Sequence, residues 1–249
     1  MKTRLDKLLF ERGFAASRER AQSLILAGKV LVNGQKIEKA GTNVDNASEI
    51  RLLGEDLKYV SRGGVKLEKA IEHWNISISG KRCLDVGAST GGFTDCLLQH
   101  GATGVIAVDT GHGQIDFSLR QNSQVRLLEK TNARYLTHEQ VGEFVDIIVM
   151  DVSFISATLV LPAVVAAAFP ESASERCGRQ MVVLVKPQFE AGKENVGKGG
   201  IVRDEAVQKA AVEKVRESLI NLGAEHTDVI ASPILGAEGN REFLLQATF

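Results

Sequence analysis

Apolar positions along this chain follow two periods, and the change between them divides it. Near the start, Leu5, Leu8 and Leu9 share one helical face, which predicts a helix over 4–13 with Gly13 as its stop. Ser17 suits the N-cap of a second helix, 18–27, with Ala21, Leu24 and Ile25 turned inward and Gly28 closing it. The run Val30-Leu31-Val32-Asn33-Gly34-Gln35-Lys36-Ile37 reads as a hairpin, because Asn-Gly accepts the positive φ angles of a two-residue turn. A further strand is expected over 49–53. Two short helices and a few strands bury little, so residues 1–55 are expected to form a small module, with 56–60 as a linker to residues 61–249.

A helix follows with Leu67, Ala70, Ile71 and Trp74 on its inner face. Lys66 and Lys69 lie off that stripe, and spacing alone makes both surface lysines. From residue 81 the pattern alternates between short apolar runs and helical spacing. Strands are predicted over 82–86, 104–109, 125–128, 145–151, 181–186, 225–230 and 242–249, with a helix over 205–222. This alternation implies an α/β fold with a doubly wound, Rossmann-like parallel sheet. Such sheets bind ligands outside the carboxyl ends of their strands. That edge would gather the turn at 87–94 with Asp109, Asn132, Asp151 and Lys186.

The turn is the first chemical signal. Leu84, Asp85 and Val86 run into Gly87, Gly91 and Gly92, and a helical pattern with Phe93, Cys96 and Leu97 on one face follows. Glycines here let the backbone bend and let a ligand approach, while the helix start offers free N–H groups. Ser89 stands where a dinucleotide fingerprint has its second glycine, which argues against a pyrophosphate-bearing cofactor. Asp85 and Asp109 suit a cationic amine and a ribose diol, and S-adenosylmethionine carries both. The same residues, Gly87-Ala88-Ser89-Thr90-Gly91, also fit the nucleophile elbow of a hydrolase, with Asp151 and His226 as nominal partners.

Two strand ends add a second signal. Asp151 closes the apolar run 147–150 and Lys186 closes 181–185. A charge beside a central strand is costly to desolvate unless paired, so an acid and an amine on strand ends suggest a working pair. Residues 188–200, with four glycines and two lysines, read as a mobile loop suited to closing over substrate.

The net charge of −1 conceals an asymmetry: residues 1–40 carry +5 and the rest −6. A basic end on an acidic body suggests a nucleic-acid-facing module. Cys83, Cys96 and Cys177 are odd in number, and neither they nor the five histidines show ligand spacing, so no metal and a reducing cytoplasm are expected. The first residues lack the apolar core of a signal peptide, and the most apolar window, 159–169, is too short for a bilayer.

Arg4 to Leu9, Ser17 to Ala21 and Gly28 to Gly34 together resemble the alpha-L RNA-binding motif, named for a small-subunit ribosomal protein. The resemblance implies phosphate contacts from basic residues, with Arg4, Arg18, Arg20, Lys29 and Lys36 as candidates. Residues 61–249 resemble the FtsJ-like RNA ribose methyltransferases, which implies a class I methyltransferase fold. The whole chain is similar to the TlyA, or hemolysin-A-type, rRNA 2′-O-methyltransferases. The carriers are Ser61 to Leu67, Leu84 to Thr94, Asp151 to Ser156, Val185 to Glu190 and Gly239 to Glu242. The family's Lys-Asp-Lys-Glu tetrad falls on Lys66, Asp151, Lys186 and Glu242, and the choice of Lys66 over Lys69 and of Glu242 over Glu238 rests on the resemblance. S-adenosylmethionine would then be held by Asp85, Gly87, Ser89, Gly91, Gly92, Phe93, Thr94, Asp109 and Asn132. The implied partner is rRNA within a ribosomal subunit, and the implied target a cytidine. A membrane-active cytolysin and an RNA-binding protein without catalysis are the alternatives. The first finds no spanning or basic amphipathic helix in the sequence, and the second leaves the tetrad without a use.

Overall fold

The computed structural model describes residues 2–15, 17–53 and 58–249. The chain separates into two compact units, Met1–Leu57 and Lys58–Phe249.

In the first unit, β1 (Lys2–Arg4) leads into α1 (Leu5–Glu11), and α2 (Arg18–Leu26) follows with Ser17 Oγ accepting from the Arg20 N–H at 3.1 Å. Strands β2 (Val30–Val32) and β3 (Gln35–Ile37) form the expected hairpin, with Asn33 at φ 50° and Gly34 at φ 77°. β4 (Asn43–Asp45) pairs with β1, and β5 (Ile50–Leu52) with β2, all antiparallel. Leu5, Leu8, Leu9, Ala21, Leu24, Ile25 and Val30 make one core. The expected first helix is shorter at both ends, because the residues before Leu5 pair as a strand.

The linker expectation needs correction. Residues 56 and 57 lie outside the described residues, but 58–60 belong to the large unit. Tyr59 is 2% exposed within the large unit's core and its hydroxyl donates to Glu68 at 2.9 Å. The Val60 N–H donates to Asp95 at 2.8 Å. An aromatic ring that fills a core cannot serve as a flexible spacer.

The large unit begins with α3 (Gly63–Trp74) and then alternates β6 (Arg82–Val86), α4 (Gly92–Gln99), β7 (Gly104–Val108), α5 (Phe117–Arg120), β8 (Val125–Leu128), α6 (His138–Val141), β9 (Ile147–Met150), α7 (Leu161–Ala168), α8 (Ala173–Arg176), β10 (Gln180–Val185), α9 (Pro187–Glu190), α10 (Glu205–Asn221), β11 (His226–Ala231) and β12 (Phe243–Thr248). The sheet runs β11-β12-β10-β9-β6-β7-β8. It is parallel except for β12, which is antiparallel to both β10 and β11. Side chains alternate between its faces with the strand period of two. Leu84, Val86, Ile148, Met150, Val183 and Val185 pack under α7 and α10, while Cys83, Ile147, Val149, Val182 and Leu184 pack under α3 and α4. Both faces are covered, which is why these strands read as continuous apolar runs. Among the described residues no helix is long and apolar enough to cross a membrane.

Candidate active site

Strand order sets the site. From β12 through β10, β9 and β6 to β7, one sheet edge presents in a row Glu242, Lys186, Asp151, the glycine turn and Asp109. Because β12 is reversed, the residue before its start, Glu242, reaches the edge that the other strands reach with their ends.

The turn is built against its neighbours. Gly87, at φ 86°, has no room for a side chain, since a Cβ there would overlap the Asp151 carbonyl oxygen. At Gly92 a Cβ would run into the Ser61 hydroxyl. Glycine is therefore required for the close approach of three segments as well as for the bend. Ser89, at φ 50°, donates its N–H to Asp109 Oδ2 at 2.7 Å, and Gly111 N–H donates to Asp109 Oδ1 at 2.6 Å. Asp109 is thus locked in place while still lining a cavity of about 570 Å³. That cavity also touches Gly87, Ser89, Gln114, Asn132, Val152 and Ile155.

The four tetrad residues assemble as two ion pairs. Lys186 Nζ lies 2.5 Å from Asp151 Oδ1 and donates to Ser153 Oγ at 2.7 Å. Lys66 Nζ donates to Glu242 Oε2 at 2.6 Å, with both groups buried. All four line a second cavity, of about 340 Å³, together with Gly87, Ser89, Gly92 and Phe93. Gly87, Ser89, Asp151 and Ser153 border both cavities. Lys66 corrects the helical spacing, which made it a surface residue: it is 8% exposed, whereas Lys69 is exposed. α3 packs on both α4 and β12, so its buried arc is wider than one stripe.

Three expected ligand contacts fall outside the cavities. Asp85 is 0% exposed beneath the turn, where Thr94 Oγ1 donates to its Oδ2 at 2.6 Å and its Oδ1 has no partner. Burial, with Asp151 and Asp109 adding to it, pushes this carboxyl up to about 7. Thr94 is buried with it, and Gly91 faces Leu119 and Ile115. Asp85 and Thr94 support the turn from below, and neither lines a cavity that could hold a ligand. The 188–200 segment departs from expectation too. It contains α9 and a helical turn at Lys193–Asn195, and buried Asn240 holds its far end by donating to Gly200 O at 2.8 Å and accepting from Val202 N–H at 2.9 Å. Glu190, also buried, accepts from Ala157 N–H at 2.6 Å and from Ser156 Oγ, so the segment is tied down at both ends. Glycines here form turns within an anchored connection.

Sequence reasoning missed Ser153, Gln114 and Phe154. Ser153 stands inside a quoted motif two residues past Asp151, and that proximity was the available signal. Phe154 is 90% exposed at φ 64°, with its ring centroid 5.4 Å from that of Phe189, and no periodicity marks it. The hydrolase reading fails on geometry. His226 begins β11 beside Thr248, at the sheet edge opposite Ser89. Among the described residues no group of three His, Cys, Asp or Glu is placed to hold a metal ion.

In the small unit, Arg4 and Arg18 converge on Asp6, which is 0% exposed. Arg4 donates twice, at 3.0 and 2.9 Å, Arg18 at 3.1 Å and Gln22 at 2.8 Å. The guanidinium of Arg4 foremost holds the Asp6 carboxyl well below the usual range. Both arginines remain about half exposed. Lys36 pairs with Glu38 at 2.8 Å, and Arg20 and Lys29 are half-buried.

The model of the FtsJ-like methyltransferases matches residues 59–249, and that of the S4 domain matches residues 3–50. Over 98% of its length the chain is 44% identical to the 16S/23S rRNA (cytidine-2′-O)-methyltransferase TlyA of Mycobacterium tuberculosis, covering 89% of that protein. It is 42% identical to Hemolysin A of Brachyspira hyodysenteriae, over 97% of this chain and 98% of that one. A solved structure described as a candidate hemolysin from Streptococcus thermophilus aligns with a TM-score of 0.72 at 41% identity, covering 99% of this chain and 88% of the other.

Proposed function

The chain belongs to the FtsJ-like methyltransferase family, and from that membership we propose that it transfers the methyl group of S-adenosylmethionine to a ribose 2′-hydroxyl of a cytidine in ribosomal RNA. The observation that carries this reading is the pair of lysine–carboxylate contacts on a cavity wall that opens onto the glycine turn. The larger cavity suits an adenosine: its volume lies in the usual range for small ligands, its walls include Val152, Ile155 and Val160, and Asp109 offers acceptors for a diol. Gly87, Ser89, Gly92, Phe93 and Asn132 complete the lining across the two cavities.

S-adenosylmethionine, when bound, supplies an electrophilic methyl on a sulfonium. The chain's own residues have to prepare the acceptor. A ribose hydroxyl is a weak nucleophile: Lys186 as a neutral amine would accept its proton as the oxygen–methyl bond forms, or as an ammonium would stabilise the forming alkoxide while the proton passes to water. Asp151 holds that amine in place. Lys66 adds a second positive group, and Glu242 holds it in place. Positioned proton transfer is typically worth about 10² to 10⁴ in rate, and alignment of the reacting atoms more.

The S4-type module supplies the RNA side, with Arg4, Arg18, Arg20, Lys29 and Lys36 as its phosphate contacts. Asp6 pre-orients two of these arginines. The substrate is rRNA within a ribosomal subunit, in the cytoplasm. Lysis of membranes would use neither the cavities nor the ion pairs.

The test is labelled methyl transfer onto undermodified ribosomal subunits by wild type and Lys186→Ala. The variant is expected to lose about 10² to 10⁴ in rate while calorimetry shows S-adenosylmethionine binding retained. Transfer by Lys186→Ala at the wild-type rate would overturn the assignment.

A further inference from the structure

A lysine ammonium has three N–H donors on a flexible four-carbon stem, so one carboxylate partner leaves it free to turn. At Lys186 one partner has hydrogen-bond geometry, Ser153 Oγ at 2.7 Å, while Asp151 Oδ1, 2.5 Å away, is an ion-pair partner that lacks it. They come from one short segment leaving β9, and the start of that segment is seated against Gly87. With the Asp151 contact holding the nitrogen in place, the Ser153 hydrogen bond is what fixes the direction of one N–H, and with it the turn of the whole tetrahedral group. Ser153 borders both cavities, so it stands where the methyl-donor space meets the space around the two ion pairs.

We propose that Ser153 is a positioning residue for Lys186: its hydroxyl accepts from one N–H of the amine and so turns another of the nitrogen's directions toward the acceptor oxygen. This rests on the methyl-transfer reading above. Asp151 alone sets where the amine sits. Ser153 sets which way it faces. The side chain is exposed, so its removal opens no core cavity and leaves the fold intact.

The experiment uses the full chain and undermodified subunits with Ser153→Ala, Ser153→Thr and Lys186→Ala. Ser153→Ala is expected to lower kcat about tenfold, the scale of one lost orienting hydrogen bond. KM for S-adenosylmethionine and its calorimetric Kd stay within about twofold of wild type. Ser153→Thr, which keeps a hydroxyl on the same carbon, is expected to restore most of kcat. The inference is overturned if Ser153→Ala keeps the wild-type kcat, changes KM alone, or is matched in slowness by Ser153→Thr. If Lys186→Ala also transfers methyl at the wild-type rate, the parent reading fails. If Lys186→Ala is inactive and Ser153→Ala is unaffected, only the role of Ser153 fails.

Discussion

Among the described residues each unit buries one aspartate completely, and their carboxyls are shifted in opposite directions. Asp6 receives five hydrogen bonds, two from Arg4 and one each from Arg18, Gln22 and the Lys7 N–H. Asp85 has one side-chain donor, Thr94, an unpartnered oxygen, and two further carboxylates nearby. Asp6 stays ionised far into acid, whereas Asp85 is pushed up to about 7. Lack of exposure alone therefore does not fix the direction: desolvation wins at Asp85, while at Asp6 the donors around the carboxylate outweigh it. The satisfied carboxylate organises arginines in the S4-type module. The unsatisfied one lies beneath the turn that faces the cavities, where a structure can hold a costly group because packing keeps it there.

The largest expected effect comes from removing the Asp85 charge. Its folded value exceeds the unfolded one of about 3.9, so between roughly pH 4 and pH 7 the folded state binds more protons and stability falls as pH rises, by a few kcal/mol in order of magnitude. Asp85→Asn should flatten that dependence in urea unfolding of the large unit at pH 5, 6, 7 and 8. An unchanged pH dependence would erase the contrast between the two aspartates. Asp6→Asn should destabilise the small unit by about 2 kcal/mol at neutral pH, the scale of hydrogen bonds to a charged group. This contribution is fully present above about pH 4 and is lost as pH falls through the depressed folded value, the reverse of Asp85. Amide exchange at Leu8, Leu9 and Ile25 reports it, and unaltered protection would contradict it. Smallest is Gln22→Ala, about 1 kcal/mol, and a neutral donor's loss should leave the sign of the pH dependence intact in the same exchange measurement.

Much of this architecture was legible because local chemistry and tertiary packing agree. Asn33-Gly34 demanded a tight turn, and apolar runs such as 181–185 announced strands covered on both faces. β1 was not legible: three residues are too few to show alternation, and it exists only through β4. Lys66 could not be told from Lys69 by periodicity, because the reversed strand β12 that helps cover it lies far along the chain. Asp85 and Asp109 both read as strand-end acids. Strand parity groups Asp85 with Cys83 on the α4 side, whereas Asp109 follows the last residue of β7 and is free to face the cavity. The tetrad was named through family resemblance, and its division into two separate ion pairs required the sheet order.

The central claim is that the methyl group reaches a ribose oxygen. Alkaline cleavage of RNA needs a free 2′-hydroxyl to attack the neighbouring phosphodiester, so methylation there blocks the cut. After transfer of a labelled methyl group to undermodified subunits, complete alkaline hydrolysis should leave the label in a resistant dinucleotide with cytidine at its 5′ side. Label recovered in mononucleotides would mean that a base had been methylated, and the account of Lys186, Asp151, Lys66 and Glu242 would be wrong.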